Sequence, residues 1–168
     1  LALVYRSLAK ASETNSTVII KHIGDSRVYH FSAMTKTWRC ITRDHNLLNQ
    51  IVDEQAAAEN RQADFGKYNQ EGMASPMYAL TDCLIADSDL ENNPMPAFEN
   101  QTLAVSSDDC LVVCTDGVHD LVFCNEWQGI DKHTDLQAWL KQLRKQIYAS
   151  KGRAYDNATA ILVRFESQ

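Results

Sequence analysis

The sequence predicts an α+β domain built on antiparallel β-sheets. Runs rich in β-branched residues cluster near the start and in the middle of the chain, and the strongest helical pattern lies near the end. The regular alternation of strands and helices that builds a parallel sheet is not seen in the sequence. With 168 residues, 45% of them hydrophobic, the chain has the size and composition of a single globular domain over residues 1–168.

The first predicted elements are a helix and three strands. Residues 1–12 favour an amphipathic helix, because apolar side chains recur there at helical spacing. The segments 17–23, 27–33 and 37–42 are rich in β-branched and aromatic residues and are separated by short turns. Since strands joined by tight turns pair antiparallel, these three strands are expected to be neighbours in one sheet.

The later elements are separated by polar segments. Helix-forming residues dominate three of these later elements, namely 47–60, 77–84 and 134–150. Strand composition marks three more, namely 101–105, 110–115 and 158–165. Thr134 is the expected N-cap of the last helix. Residues 60–75 and 85–100 have the composition of loops, and long loops in a compact domain tend to be functional.

The charge distribution excludes some classes of partner. With 22 acidic and 16 basic residues, the net charge is -6 and no basic block is present, which argues against binding to nucleic acid. No apolar run reaches the length that crosses a bilayer, and residues 1–12 lack the features of a signal peptide. We therefore expect a cytoplasmic protein with no membrane partner.

The cysteines support the same compartment. Five cysteines are an odd number, and no CxxC pair occurs among them; they are Cys40, Cys83, Cys110, Cys114 and Cys124. This pattern favours reduced, buried thiols over a disulfide framework, and it also disfavours a zinc site built from cysteines.

Three aspartates lie where a predicted strand meets a turn: Asp25 in "IGDSR", Asp116 in "CTDG" and Asp156 in "YDNAT". Each one alone is an ordinary turn residue, because Asp side chains bond to nearby backbone groups. However, the ends of several strands can converge on one edge of a sheet, which would bring these three acids together. Hard cations such as Mg²⁺ and Mn²⁺ prefer carboxylate oxygens, so convergent acids would form a site for them.

The neighbours of these acids carry a resemblance to a known family. The segments "STVIIKHIGDSRVYHF", "ITRDHNLL", "YALTDCL", "LVVCTDGVHDLV" and "DNATAILVRF" occur in this order. They resemble the motifs of the metal-dependent protein serine/threonine phosphatases of type 2C, and most closely the compact bacterial ones. The resemblance implies a β-sandwich of two antiparallel sheets flanked by helices, with metal ions at one edge.

The resemblance also implies roles for particular residues. Asp116 and Asp156 match ligands of the two-metal centre, and Asp25 matches a ligand of a third, weaker ion. Gly117 lies beside the first ligand, and Asn157 is expected to orient Asp156. Residues 53–78 match a variable flap. The expected cofactors are two ions of magnesium or manganese, with a third as an accessory.

The implied reaction is hydrolysis of phosphoserine and phosphothreonine in proteins by a metal-activated water, with no covalent nucleophile. The expected partner is a phosphorylated protein, which the enzyme would dephosphorylate in opposition to a serine/threonine kinase. A monomer is expected. Two family segments, one carrying a phosphate-binding arginine and an acidic ligand and one carrying a "DG" loop, are not found. We therefore expect this chain to match the C-terminal two-thirds of the domain and to be weakly active or inactive alone.

Two other functions stay open on the sequence. Ser26, Asp116 and His119 have the residue types of a GDS-type esterase, although Ser26 precedes a strand rather than a helix. A non-catalytic phosphatase-like domain could bind a phosphoprotein without hydrolysing it. Arg27 and His45 are expected to be structural, and His119 is expected to be exposed.

Several further side chains are expected to be structural. Asp120 is expected to cap a short helix "LVFCNEW" at 121–127 or to brace the turn, and Thr115 to bond locally. The three tryptophans are expected to anchor the core; they are Trp38, Trp127 and Trp139.

Overall fold

The computed structural model describes residues 2–6, 16–59, 75–84, 98–150 and 156–166. Within these ranges the strands are β1 (Ala2–Arg6), β2 (Ser16–His22), β3 (Arg27–Ser32), β4 (Thr37–Cys40), β5 (Glu99–Val105), β6 (Cys110–Cys114) and β7 (Ala160–Arg164). The helices are α1 (Leu47–Ala58), α2 (Asp116–His119) and α3 (Leu136–Ala149), with short 3₁₀ turns at Ser75–Tyr78 and Cys124–Glu126.

The strands form two antiparallel sheets. One has the order β1-β2-β5, and the other has the order β4-β3-β6-β7. Alternate residues of each strand point to opposite faces, so the central strands β3 and β6 of the second sheet contribute to two layers of core. The predicted sandwich of two antiparallel sheets is confirmed.

The first core layer lies between the sheets. It consists of buried aliphatic side chains from both sheets, namely Val18, Ile20, Val28, Leu103, Val105 and Leu111. Removing this apolar surface from water stabilises the sandwich by about 1.5–3 kcal/mol for each large side chain.

The second core layer lies on the opposite face of the four-stranded sheet, under α3. Tyr29 and Phe31 of β3 and alternate residues of β6 pack there against Trp127, Trp139 and Leu143. The indole nitrogens of Trp38 and Trp139 both donate to the main-chain oxygen of Gln128, at 3.0 and 2.9 Å. The expectation that the tryptophans anchor the core is confirmed.

Both long helices begin at a capped residue. Asn46 accepts a hydrogen bond from the main-chain N–H of Asn49 at 3.0 Å and caps α1. The cap of α3 is Asp135 and not Thr134, which corrects the sequence prediction. The Thr134 hydroxyl is engaged with Asp131 instead, at 3.0 Å.

Three predictions of local structure were wrong. Ala2–Arg6 is a strand paired with β2 rather than part of a helix, because these five residues also alternate: Ala2 and Val4 pack on the core between the sheets, while Leu3 and Tyr5 are exposed. Residues 7–12 lie outside the described ranges. The predicted helix at 77–84 is a 3₁₀ turn at Ser75–Tyr78 followed by a bridge between Leu80 and Asn46.

The third error concerns sheet pairing. β2 and β3 were expected to be neighbours, but they lie in different sheets. The short connection between them crosses from one sheet to the other, so the tight turn joins layers rather than paired strands. The predicted flap over 53–78 falls partly on α1 and partly on residues outside the described ranges, and it stays a prediction. In the part of the chain that is described, no helix is long and apolar enough to cross a membrane.

Candidate metal centre at the end of the four-stranded sheet

Strand register places the three predicted ligands at one end of the four-stranded sheet. Arg27 of β3 pairs with Cys114 of β6, which in turn pairs with Ala160 of β7. Asp25 lies just before β3, Asp116 just after β6, and Asp156 shortly before β7. Because the strands are antiparallel, all three positions fall beyond the same row of paired residues.

The segments that carry Asp116 and Asp156 are tied together directly. The Thr115 hydroxyl donates to the main-chain oxygen of Asn157 at 3.1 Å and accepts from the main-chain N–H of Thr159 at 3.0 Å. A Cβ atom at Gly117 would lie 2.8 Å from the main-chain oxygen of Asn157. Glycine at 117 is therefore required by the close approach of the two segments. The sequence had led us to expect local bonds for Thr115. Its bonds instead bridge the two segments.

The electrostatics of the site favour a cation. Burial raises the pKa of the Asp25 carboxyl, and the negative charge of Asp116 raises it further. The charge of Asp116 therefore opposes ionisation of Asp25, and a positive ion near them would relieve this repulsion. An all-carboxylate donor set fits hard dications such as Mg²⁺ and Mn²⁺.

Asp116 and Asp156 each accept a hydrogen bond from the next residue in the chain. The main-chain N–H of Gly117 donates to Asp116 Oδ1 at 2.8 Å, and that of Asn157 donates to Asp156 Oδ1 at 2.6 Å. The contact that Asn157 makes with Asp156 thus comes from its main chain. The roles of Asp25, Asp116 and Asp156 as metal ligands stay predictions.

His119 was expected to be exposed, and this was wrong, since only 2% of its surface is accessible. Its Nε2 donates to the main-chain oxygen of Asp25 at 3.0 Å, and its Nδ1 lies 3.0 Å from Asp120 Oδ1. The close contact with the His119 ring lowers the pKa of the Asp120 carboxyl. His119 thus connects α2 to the loop that carries Asp25, a contact over 94 positions that no local sequence pattern reveals.

The contacts of His119 argue against the alternative of a GDS-type esterase. The ring nitrogens of His119 face Asp25 and Asp120, and neither of these contacts is with Ser26 or Asp116. A serine nucleophile needs a histidine base within hydrogen-bond reach. The arrangement therefore does not favour the esterase.

Arg27 and His45 make structural contacts, as expected from the sequence. Arg27 donates to both carboxylate oxygens of Asp44, at 2.8 and 2.6 Å. His45 Nδ1 accepts from the Gly24 N–H at 3.0 Å, and the His45 N–H donates to the Gly24 oxygen at 2.9 Å. These bonds fix the loop between β2 and β3 next to Asp25.

A second cluster of possible metal ligands was missed by the sequence reasoning. Among the described residues, the trio of His, Cys, Asp or Glu side chains whose ligand atoms all lie within 4.8 Å of one another consists of His22, His45 and Glu99. The three aspartates are not grouped as closely as this. Only the pairing of β2 with β5 brings His22 opposite Glu99, and that pairing could not be read from the sequence.

Comparison with known proteins gives a fold match without a sequence match. No protein-family model and no curated protein sequence matches this chain. The S. agalactiae serine/threonine phosphatase matches with a TM-score of 0.63 and 20% identity, over 89% of this chain and 55% of that one. Stp1 from Staphylococcus aureus matches with a TM-score of 0.63 and 20% identity, over 91% and 55%. The catalytic domain of PstP, in complex with two manganese ions, matches with a TM-score of 0.56 and 17% identity, over 87% and 52%.

The chain has the fold of the bacterial serine/threonine phosphatases. The resemblance to the type 2C phosphatases is thus confirmed at the level of fold. This chain spans about half the length of the phosphatase structures that it matches. The phosphatase fold explains why the acids next to β3, β6 and β7 share one edge.

Proposed function

We propose that this chain is part of a metal-dependent protein phosphatase that hydrolyses phosphoserine and phosphothreonine. The observation that carries this proposal is the position of Asp25, Asp116 and Asp156 beyond one row of paired residues in a sheet with the phosphatase fold. The match to a PstP domain in complex with two manganese ions supports the use of divalent ions.

In this proposal the acids bind the ions, and their neighbours hold the acids in place. Asp116 and Asp156 are the proposed ligands of the main pair of ions, and Asp25 of an accessory ion. A pair of divalent ions lowers the pKa of a bound water and neutralises charge on the phosphoryl group. Thr115 joins the Asp116 and Asp156 segments, and His119 holds the Asp25 loop in place.

Two measurements test this function. The first is Mn²⁺ binding by the 168-residue chain, which is independent of turnover. We expect Asp116→Asn and Asp156→Asn to weaken binding at least about tenfold, since loss of a ligand costs no less than loss of a residue that supports one. Glu54→Gln, an exposed acid on α1, is the matched control and should bind like the wild type.

The second measurement is phosphate release from a phosphoserine peptide. It is made with the 168-residue chain and with a longer chain that contains it, with and without Mn²⁺. We expect hydrolysis to require the metal and to be lost in Asp116→Asn but not in Glu54→Gln. Hydrolysis that persists in a chelator, or an Asp116→Asn variant with normal Mn²⁺ binding and turnover, would contradict the proposal.

A further inference from the structure

The cluster of His22, His45 and Glu99 lies at the ends of two strands in the three-stranded sheet. His22 ends β2, Glu99 begins β5, and the two residues are direct partners in the strand register. The ring of His45, just before α1, stacks on the ring of His22 with centroids 5.0 Å apart and planes 20° apart. The sheet and the start of α1 thus bring three potential ligand side chains together. The rings turn out of this stack when both in-plane lone pairs bind one ion.

His22 is almost completely buried, and its two ring nitrogens lack well-formed hydrogen bonds. Its accessible surface is 1%, and neither Nδ1 nor Nε2 has a hydrogen-bond partner in the described structure. Buried polar atoms are nearly always paired, because leaving one unpaired costs free energy. The nitrogens of His22 are therefore available to an added ligand.

The spacing to Glu99 suits a metal ion better than a hydrogen bond. His22 Nδ1 lies 4.0 Å from Glu99 Oε2, which is beyond hydrogen-bonding distance. Two bonds of about 2.0–2.2 Å to a shared Zn²⁺ ion would bridge about 4 Å, or less once the angle between them closes. The side chain of Glu99 is 38% exposed and has room to adjust.

The charge state of His22 is compatible with metal binding. Burial lowers its pKa to about 4. The ring is therefore neutral at pH 7, and the 4.0 Å contact with Glu99 is not an ion pair. A neutral imidazole has the lone pair that a metal ion requires.

The cluster is also accessible from solvent. His45 and Glu99 line a polar cleft of about 450 Å³, together with the acidic residues Asp53 and Asp82. Arg43 also lines this cleft and pairs with Asp53, so Asp82 and Glu99 are the acids that a cation entering from this side would meet.

We propose that His22, His45 and Glu99 form a binding site for a transition-metal cation of the Zn²⁺ class. Two imidazoles and one carboxylate are a common donor set for Zn²⁺, whereas Mg²⁺ prefers oxygen ligands alone. The site shares no residue with the proposed site of Asp25, Asp116 and Asp156, and it does not depend on phosphatase activity.

Binding has a specific consequence for the loop before Asp25. The Gly24 N–H donates to His45 Nδ1, so the neutral His45 ring carries its proton on Nε2. A cation at Nδ1 replaces this hydrogen bond, and a cation at Nε2 moves the ring proton to Nδ1. In either case the Gly24 N–H loses its acceptor, and its amide resonance reports that the cation has bound to His45.

The test is titration of the chelator-treated 168-residue chain with Co²⁺ and Zn²⁺. Co²⁺ is followed by its visible absorption, which reports a low-coordinate site, and Zn²⁺ is followed by calorimetry and by the Gly24 amide resonance. We expect one ion to bind at this cluster, and Glu99→Gln to weaken its binding at least about tenfold. His22→Gln is expected to do the same.

The control is Asp82→Asn, which removes an exposed acid from the same cleft and leaves the trio intact. It should bind Zn²⁺ as the wild type does. Glu99→Gln changes a partly exposed side chain, so it keeps the test decisive even if His22→Gln fails to fold. The inference is overturned if the wild type binds neither ion, if Glu99→Gln and Asp82→Asn bind equally, or if only Asp116→Asn abolishes Zn²⁺ binding. Mn²⁺ binding lost in Asp116→Asn alone tests the phosphatase proposal separately.

Discussion

Replacing Asp44 by asparagine is expected to destabilise the chain strongly, because it leaves the buried Arg27 guanidinium without its counter-charge. The side chains of Arg27 and Asp44 are 13% and 6% exposed, and they make two parallel hydrogen bonds of 2.8 and 2.6 Å. Burial alone would lower the pKa of Arg27, but the hydrogen bonds and charge of Asp44 outweigh it and raise that pKa. Breaking a buried pair on one side typically costs about 3–5 kcal/mol.

For a domain of this size, that loss corresponds to a drop in Tm of about 6–20 °C. The matched control is Asp53→Asn, which breaks the ion pair between Arg43 and Asp53, whose side chains are 29% and 50% exposed. Exposed pairs contribute about 0–1 kcal/mol, so this variant should melt within a few degrees of the wild type.

Urea unfolding followed by tryptophan fluorescence measures both variants. The double variant Arg27→Met with Asp44→Leu removes both charges and is expected to recover most of the stability lost in Asp44→Asn. The reasoning fails if Asp44→Asn and Asp53→Asn lose the same stability, or if the double variant is less stable than Asp44→Asn alone.

Three further predictions concern packing and titration. Gly117→Ala should destabilise the chain by about 1–3 kcal/mol in urea unfolding, because its Cβ would lie 2.8 Å from the main-chain oxygen of Asn157; an unchanged midpoint would contradict this close approach. Burial raises the pKa of Cys114 to about 12, so this thiol should not react with a thiol reagent at pH 8 until the chain is unfolded; rapid labelling of native Cys114 would refute it. Burial lowers the pKa of His22 from 6.5 to about 4, so the unfolded chain takes up a proton in this interval and the folded chain does not. The free energy of unfolding should therefore fall by up to about 3 kcal/mol between pH 6.5 and pH 4, and less so in His22→Gln.

Much of the fold could be predicted because most elements carry a local signal. α1 and α3 have helix-forming composition and one apolar side, and β5, β6 and β7 have runs of strand-forming residues. Ala2–Arg6 misled the prediction because a segment of five residues fits both a helical and an alternating pattern. Pairing of this segment with β2 decides between them, and pairing is a tertiary contact.

The candidate site was predictable to a smaller extent. The types and neighbours of Asp25, Asp116 and Asp156 could be read from the sequence, as could the structural role of Arg27. The burial of His119 and the trio of His22, His45 and Glu99 could not. Each of these depends on contacts between residues far apart in the chain, such as the bond from His119 to the main-chain oxygen of Asp25.

The crossing between β2 and β3 links the two proposed metal sites. β2 belongs to one sheet and ends at His22, and β3 belongs to the other sheet and follows Asp25, so one short loop carries a residue of each site. His45 bonds to this loop at Gly24 from one side, and His119 bonds to it at Asp25 from the other. A cation that takes a nitrogen of His45 removes the first of these bonds. The main-chain bond from the His45 N–H to the Gly24 oxygen remains, so the loop loses one of the bonds that hold it. Occupation of the His22 site should therefore alter the affinity of the Asp25 region for Mn²⁺, and by linkage the reverse should hold.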